Sequence, residues 1–332
     1  MKQVSALLTS EEIVRYKRIS KLNMRSSIYD LTTACNLRCA GCFFYSSGAD
    51  KVAKQETDNQ AWVDFVAREK ERGVNLAILI GGEPTLYPDR IDVFYQAMAT
   101  FVATNGMIKI DRARFPDLMV GISVWGDAQT EIKLRGVDVL AAAEKNYAGD
   151  PNCYVLYTMT PPMLGRSHET IARIRDLGLK VHMQLYSNDD GEGGFDWTAQ
   201  TLETARDEMD GLLDEYPDTV VSSKYYHRVL TSGQMLGRTW GWHACPSVSL
   251  SHDTRVPRPK RLPGFERWAS DLKTTHRCCT SATRDCDACH DGAATMSWIM
   301  VNKRAHMRSR EDFLAWLEVY EMFAKLYRFI PW

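Results

Sequence analysis

The sequence predicts an α/β fold of parallel βαβ units followed by a smaller, cysteine-rich region. Two observations carry this expectation. Short apolar runs of strand length alternate with helix-period segments about six times before residue 190. Beyond about residue 216 strand signals thin out, while five of the nine cysteines fall there.

Residues 1–26 read as a charged lead-in with a helix over 11–20. A first strand over 27–33 delivers the chain to a cysteine-bearing loop. Residues 61–72 are helical by period, with Trp62, Phe65 and Val66 on one side and Gly73 as the stop. Residues 75–80 are nearly all apolar, as a parallel strand buried on both faces requires. A helix follows over 91–100, then strands over 101–104 and 118–124. A helix over 137–143, a strand over 154–158, a helix over 170–177 and a strand over 180–185 complete the series. Residues 188–194 are a polar, Gly-rich break, and 197–213 read as a helix. Three regions are expected: 1–26 as lead-in, 27–215 as the α/β domain, and 216–332 as the cysteine-rich part. Near the end, Phe313, Trp316, Tyr320, Phe323 and Tyr327 recur at three and four, one face of an amphipathic helix read as covering the barrel or the second region, with a membrane-surface or dimer face as the alternative.

Composition narrows the classes. A formal net charge of −1 over 332 residues sets up no global field toward nucleic acid or acidic lipid. The basic run over 255–261 reads as a solvated loop. Met1 is followed by Lys, Gln, Val and Ser rather than an apolar signal core. The cysteines sit at metal-ligand spacings, so a reducing cytoplasm is expected. The longest apolar runs, residues 76–80 among them, are far too short to span a bilayer.

The chemistry lies in two motifs. Cys35, Cys39 and Cys42 have the spacing C-x3-C-x2-C. Three such thiolates can hold three irons of a [4Fe–4S] cube, and the fourth iron stays open to a small molecule. Zinc sites more often pair two short hooks that are far apart. Gly81, Gly82, Glu83 and Pro84 directly follow the strand ending at Ile80. Two glycines there let the backbone approach a ligand closely. With both motifs in place, the sequence resembles the radical S-adenosylmethionine (SAM) superfamily over roughly residues 27–190.

That resemblance implies a partial (β/α)6 barrel and a [4Fe–4S] cluster that binds SAM. The Gly-Gly-Glu-Pro backbone and Glu83 would contact the SAM amino group. Thr104 and Asn105 match a third-strand element. Ser123 would face the ribose, and Arg135 would reach the carboxylate, a sensible bidentate pairing. Gln184 and Tyr186, at the end of the sixth strand, would line the adenine site. One departure is Gly41, where the family often has an aromatic residue near adenine; Phe43 and Phe44 follow instead. Tyr45, Tyr157 and His182 are candidate catalytic groups, each read first as packing. Cys153 reads as a buried small hydrophobe.

Cys245, Cys278, Cys279, Cys286 and Cys289 form a second set, with His243 and His290 as alternative ligands. Four thiolates would complete either a second [4Fe–4S] cluster or a structural zinc, and one of the vicinal pair would be spare. The layout is similar to auxiliary-cluster members of the superfamily. The expected function is hydrogen abstraction from a small biosynthetic molecule, with flavodoxin or ferredoxin as electron donor. Modification of a ribosomal peptide, adenosyl transfer to a lipid, and a non-catalytic Fe–S redox protein stand as alternatives. No leader-binding segment is read ahead of the barrel, which disfavours the peptide. No nucleic-acid partner is expected.

Overall fold

The computed structural model describes residues 6–46, 48–51, 54–187, 195–241, 244–245, 267–276 and 289–332. Six parallel strands form its centre: β1 (Ser26–Asp30), β2 (Leu76–Ile80), β3 (Ala99–Thr104), β4 (Met119–Val124), β5 (Cys153–Met159) and β6 (Lys180–Leu185). They pair in sequence order, each with the next. Helices α1 (Ser10–Ser20), α2 (Phe43–Ser46), α3 (Asn59–Glu71), α4 (Pro88–Ala97), α5 (Ala128–Arg135), α6 (Val139–Tyr147) and α7 (Ser167–Asp176) precede or connect them. The order matches a partial barrel: the sheet's end strands do not pair with one another.

Beyond β6 come α8 (Ala199–Glu215), α9 (Lys224–Ser232) and a two-stranded hairpin, β7 (Gln234–Met235) with β8 (Arg238–Thr239). The chain then returns to the sheet. Strand β9 (Arg267–Trp268) pairs parallel to β1, and β10 (Thr275–His276) pairs antiparallel to β9. Helices α10 (Gly292–Val301), α11 (Lys303–His306) and α12 (Arg310–Leu326) follow.

The central strands form because β-branched and other apolar residues crowd both faces, leaving β2 with four of its five residues buried. The helix expected over 91–100 ends earlier, at Ala97. Residues 99–104 join the sheet instead, since Thr100, Phe101 and Val102 pair with β2. Helix α12 packs against α10 and α1. Its Phe313 stacks on Trp316 with ring centroids 5.4 Å apart, and Tyr16 of α1 meets Phe313 edge-on at 5.4 Å. The aromatic stripe therefore faces the protein rather than a membrane. Among the described residues, no helix is long and apolar enough to cross a membrane.

Gly211 lies on the exposed side of α8, and an added Cβ there would meet nothing within 4 Å. Gly211→Ala is therefore expected to stabilise the chain by about 0.5–1 kcal/mol, read as a raised midpoint in urea unfolding. A lowered midpoint would contradict the helix assignment.

Candidate active site

The three cysteines follow β1 on a loop that the structure pins from two sides. Gln55 Oε1 accepts from Thr33 N–H at 2.8 Å and from Thr32 Oγ1 at 3.0 Å. Thr32 Oγ1 in turn accepts from Ala34 N–H at 3.0 Å. On the other side, Gly82 N–H donates to Thr32 O and Glu83 N–H donates to Ala34 O, both at 2.8 Å. These two bonds explain the glycines. A Cβ on Gly82 would lie 2.0 Å from Ala34 O, and one on Gly81, at φ +119°, would lie 2.7 Å from Thr32 O. The close approach anticipated for a ligand is made first to the cysteine loop.

Glu83 is buried and caps the turn Pro84–Leu86. Its Oε1 accepts from Thr85 N–H (3.1 Å), Thr85 Oγ1 (2.6 Å) and Thr104 Oγ1 (2.7 Å), and its Oε2 accepts from Asn105 N–H (2.8 Å). Glu83 thus ties the ends of β2 and β3 together. Asn105 Nδ2 reaches back to Asn36 Oδ1 at 2.6 Å, beside Cys35. The Thr-Asn pair is therefore part of the wall around the cysteine loop.

A second wall is built on α5. Asp127 caps its start through Thr130 N–H at 2.8 Å, and Gly136, in the left-handed region, ends it. Between these stops Glu131 and Arg135 fall one turn apart on the same face. Both are buried, with Arg135 Nη1 and Glu131 Oε2 3.4 Å apart. Arg135 also donates to the Ser123 carbonyl and lies 5.4 Å from the Trp125 ring. Trp125 donates its backbone N–H to Glu131 and its indole N–H to Ser123 Oγ at 3.1 Å.

Burial pushes the Glu131 carboxyl up to about 7, and Arg135 and the Trp125 N–H pull back only part of that. Folded Glu131 keeps a proton that the unfolded chain releases above its ordinary pKa. Its contribution to stability is present below about pH 4.5 and is lost as pH rises through about 7. The gap in melting temperature between Glu131→Gln and the parent chain is expected to widen from pH 5 to 8. A gap independent of pH would show that Glu131 is ionised throughout.

Tyr186 brings an aromatic side chain against Gly41. It leaves the end of β6 and donates its hydroxyl to Gly41 O at 2.7 Å. A Cβ on Gly41, at φ +70°, would lie 2.5 Å from that hydroxyl oxygen. The Tyr186 ring meets Trp125 at 5.8 Å and Phe195 at 4.8 Å, a small aromatic cluster that also touches Cys39 and Leu134. Glycine at 41 makes room for a side chain arriving from the far side of the sheet.

These pieces enclose one cavity of about 290 Å³. Cys35, Cys39, Cys42, Gly81, Gly82, Glu83, Thr104, Asn105, Ser123, Arg135, His182, Gln184 and Tyr186 all line it. Phe43 and Phe44 do so as well. A profile of the radical SAM superfamily matches residues 29–217, more than half of the chain. The chain belongs to the radical SAM superfamily.

Among solved structures, native anSMEcpe with bound AdoMet is similar, with a TM-score of 0.53 at 16% identity over 76% of this chain and 74% of that one. A histidine-tagged form of anSMEcpe with bound AdoMet gives 0.47 at 18% identity over 65% and 67%. Streptococcus suis SuiB bound to precursor peptide SuiA gives 0.47 at 17% identity over 61% and 50%, so this chain spans half the length of SuiB. The likeness to native anSMEcpe is one of fold. No curated protein matches the chain.

As a radical SAM enzyme, the chain calls for a [4Fe–4S] cluster and SAM, and the donor set fits them. Among the described residues no three His, Cys, Asp or Glu side chains gather as around a single ion. A cube asks each thiolate to hold a different iron, so its three cysteines ring a space rather than meet at a point. Cys35, Cys39 and Cys42 all border the cavity, as that arrangement requires.

Other sequence candidates lie elsewhere. Tyr157 is buried on the opposite face of β5 from Tyr154, Leu156 and Thr158, which line the cavity. It does not reach the reacting space. Tyr45 is also outside the lining: Arg38 lies 4.2 Å over its ring and its hydroxyl donates to Thr33 O at 3.4 Å. Cys153 opens β5 and is buried. Pro84 starts the turn after Glu83. Of the second cysteine set, Cys278, Cys279 and Cys286 lie outside the described residues, as does His243. Cys245 is buried. Cys289 Sγ sits 3.8 Å from Ser187 Oγ, and Ser187 lines the cavity. His290 turns Nδ1 to Leu230 O at 3.0 Å. Sequence reasoning missed Glu131, Trp125 and Gln55. Only Glu131 had a signal: the Asp127 and Gly136 stops frame an eight-residue helix that brings it under Arg135.

Proposed function

We propose that the chain holds a [4Fe–4S] cluster on Cys35, Cys39 and Cys42 and uses SAM to abstract hydrogen from a small biosynthetic molecule. The observation that carries this reading is the single cavity that joins the three cysteines to the ends of β2 through β6. When bound, cluster and SAM would together supply the one-electron cleavage of SAM to methionine and a 5′-deoxyadenosyl radical able to take a hydrogen atom from the substrate. The chain's residues bind and orient. Arg135, aligned by Glu131, offers its guanidinium to the SAM carboxylate. Ser123 and Gln184 provide hydrogen bonds around the ribose and adenine, and Tyr186 provides a ring. The aliphatic wall excludes water and stray reductants. An external flavodoxin or ferredoxin would deliver the electron.

Cys289, held against the cavity edge through Ser187, supports reading residues 216–332 as a region with an auxiliary metal on Cys245, Cys289 and the intervening cysteines. A [4Fe–4S] cluster there would favour chemistry in which the substrate radical gives up an electron; zinc would be structural.

The test is iron, sulfide and zinc per chain after anaerobic reconstitution, with 5′-deoxyadenosine release from SAM under dithionite. About eight irons falling to about four in the Cys35/Cys39/Cys42 triple alanine variant would support both clusters. About four falling to none would support the first alone. In either case Cys42→Ala should end 5′-deoxyadenosine release; continued release would refute the site.

A further inference from the structure

Away from the cavity, three side chains from two helices and the loop between them are joined in series. His227 on α9 has Nδ1 2.7 Å from Asp210 Oδ1 of α8 and Nε2 2.6 Å from Ser222 Oγ. None of the three lines the cavity. An ionised carboxylate only accepts, so Nδ1 carries the ring proton. Burial pushes the imidazole below its ordinary range, and Asp210 reverses only part of that. The ring is therefore uncharged at neutral pH, Nε2 is an acceptor, and the Ser222 hydroxyl donates to it.

The series has local causes. Ser223 caps α9: its Oγ accepts from Tyr226 N–H at 3.1 Å and its carbonyl from His227 N–H at 3.0 Å. A cap of this kind brings the residue before it, Ser222, alongside the fourth residue of the helix, His227. Val221 is fixed against β6, with its N–H donating to Val181 O at 2.8 Å and its carbonyl accepting from His182 Nδ1 at 2.9 Å. Lys224 Nζ meets Asp214 Oδ2 at 2.6 Å, one turn along α8 from Asp210. Serine, histidine and carboxylate are thus each held by an anchor of their own.

The order of the three decides their chemistry. A serine hydroxyl is a weak nucleophile until a base takes its proton as it attacks, and the base needs a bare nitrogen facing the hydroxyl. Asp210 sets that tautomer. His227 is fully buried, while Asp210 is 27% exposed and Ser222 half-buried. The proton passes from Ser222 to His227 inside the protein, so only the serine has to meet a substrate. Lys224 and Tyr225 open α9, and their N–H groups have no carbonyl within the helix to bind. They follow Ser222 closely in the chain, and such donors favour the negative charge that gathers on an attacked carbonyl oxygen.

We propose that Ser222 is a second reactive centre of this chain, an acyl acceptor for small activated esters. Ser222 Oγ bonds to the ester carbonyl carbon as its proton passes to His227 Nε2. The bond to the leaving alkoxide then breaks and His227 returns the proton to it. The acyl group stays on Ser222 until water removes it by the same route. Ser222 and His227 are the catalytic residues, and Asp210 positions the ring. The centre needs neither cluster nor SAM, so it stands or falls apart from the reading of the cavity.

The probe is an alkyl fluorophosphonate applied to the full chain, with and without cluster reconstitution, and adducts are located by peptide mass spectrometry. In the labelling step the Oγ–P bond forms, the P–F bond breaks, His227 takes the proton and fluoride leaves. Ser232, exposed on the same helix with its hydroxyl donating to Arg228 O, is the internal standard. We expect Ser222 to be labelled about a hundredfold faster than Ser232, the usual effect of a positioned base. His227→Gln should remove that advantage. Asp210→Asn alters a partly exposed position and should keep the fold, as its urea midpoint will show. It should still slow labelling of Ser222 about a hundredfold, because an amide no longer dictates which ring nitrogen is bare. If His227→Gln does not fold, Asp210→Asn decides alone. Labelling of Ser222 no faster than that of Ser232, or unchanged in Asp210→Asn, would overturn the proposal and leave the three residues as a strut between α8 and α9.

Discussion

Gly82→Ala is expected to abolish iron loading at the cysteine loop while leaving the rest of the sheet folded. The added Cβ would lie 2.0 Å from Ala34 O and 2.6 Å from Ala34 C, both backbone atoms that no rotamer change can move. Relief requires parting the loops, which breaks the 2.8 Å bonds from Gly82 N–H to Thr32 O and from Glu83 N–H to Ala34 O. Losing two buried backbone bonds costs about 2–6 kcal/mol if their groups go unsatisfied. The cysteines are only one to eight residues from Ala34, so the displacement falls on Cys35 first. Anaerobic reconstitution should give Gly82→Ala about four irons fewer per chain than Gly211→Ala, whose added methyl touches nothing. Equal iron in the two variants would mean that the loops are not coupled as described.

Arg267→Ala is expected to destabilise the chain by about 3–5 kcal/mol, the usual result of stripping one partner from a buried ion pair. Arg267 and Asp30 are 3% and 1% exposed. The guanidinium reaches the carboxylate through Nε, at 3.0 and 3.1 Å, and through Nη2, at 2.9 Å. Its carbon lies 5.4 Å from the Phe43 ring and 5.8 Å from the Phe44 ring, directly after Cys42. One side chain thus clamps the end of β1, the exit of the cysteine loop, and β9. Trp268, next in the chain, donates to Glu69 at 3.2 Å, which also accepts from Tyr29 at 2.8 Å and Arg72 at 3.0 Å. Lysine cannot reproduce the fork, so Arg267→Lys should recover little. Arg267→Met with Asp30→Asn should be more stable than Arg267→Ala, because no lone charge is left buried. Urea unfolding of all three variants checks this. A loss below about 1 kcal/mol for Arg267→Ala would place the pair in solvent.

The parts legible in the sequence were those with local causes. Strand β2 announces itself as an apolar run and β6 as an alternation of polar and apolar residues, and β6 falls on the expected residues 180–185. The cysteine triplet and the paired glycines are readable because their chemistry is contained in a few consecutive positions. What stayed hidden depends on distant partners or lacks a period. Helix α10 is buried nearly all round, so it has no polar face for a pattern to reveal. Strand β9 has two residues, and its place is set by Asp30, not by its own composition. Tyr186 reaches Gly41 across 145 residues, so this contact could not be seen at position 41. Glu83 is read from its motif as a ligand contact; that its carboxylate also takes four hydrogen bonds from Thr85, Thr104 and Asn105 depends on a strand some twenty residues away and could not be read there.

The clamp from Arg267 to Asp30 also sets a clock. The two residues are 237 positions apart. At about 5–20 residues per second, a ribosome needs roughly 10–50 s to make that stretch. Throughout that interval β1 and all three cysteines exist without the residue that closes over the loop. A nascent chain of this protein thus carries Cys35, Cys39 and Cys42 before Arg267 has been made. The support that Arg267 gives the cysteine loop is made only with the last third of the chain, long after the loop itself.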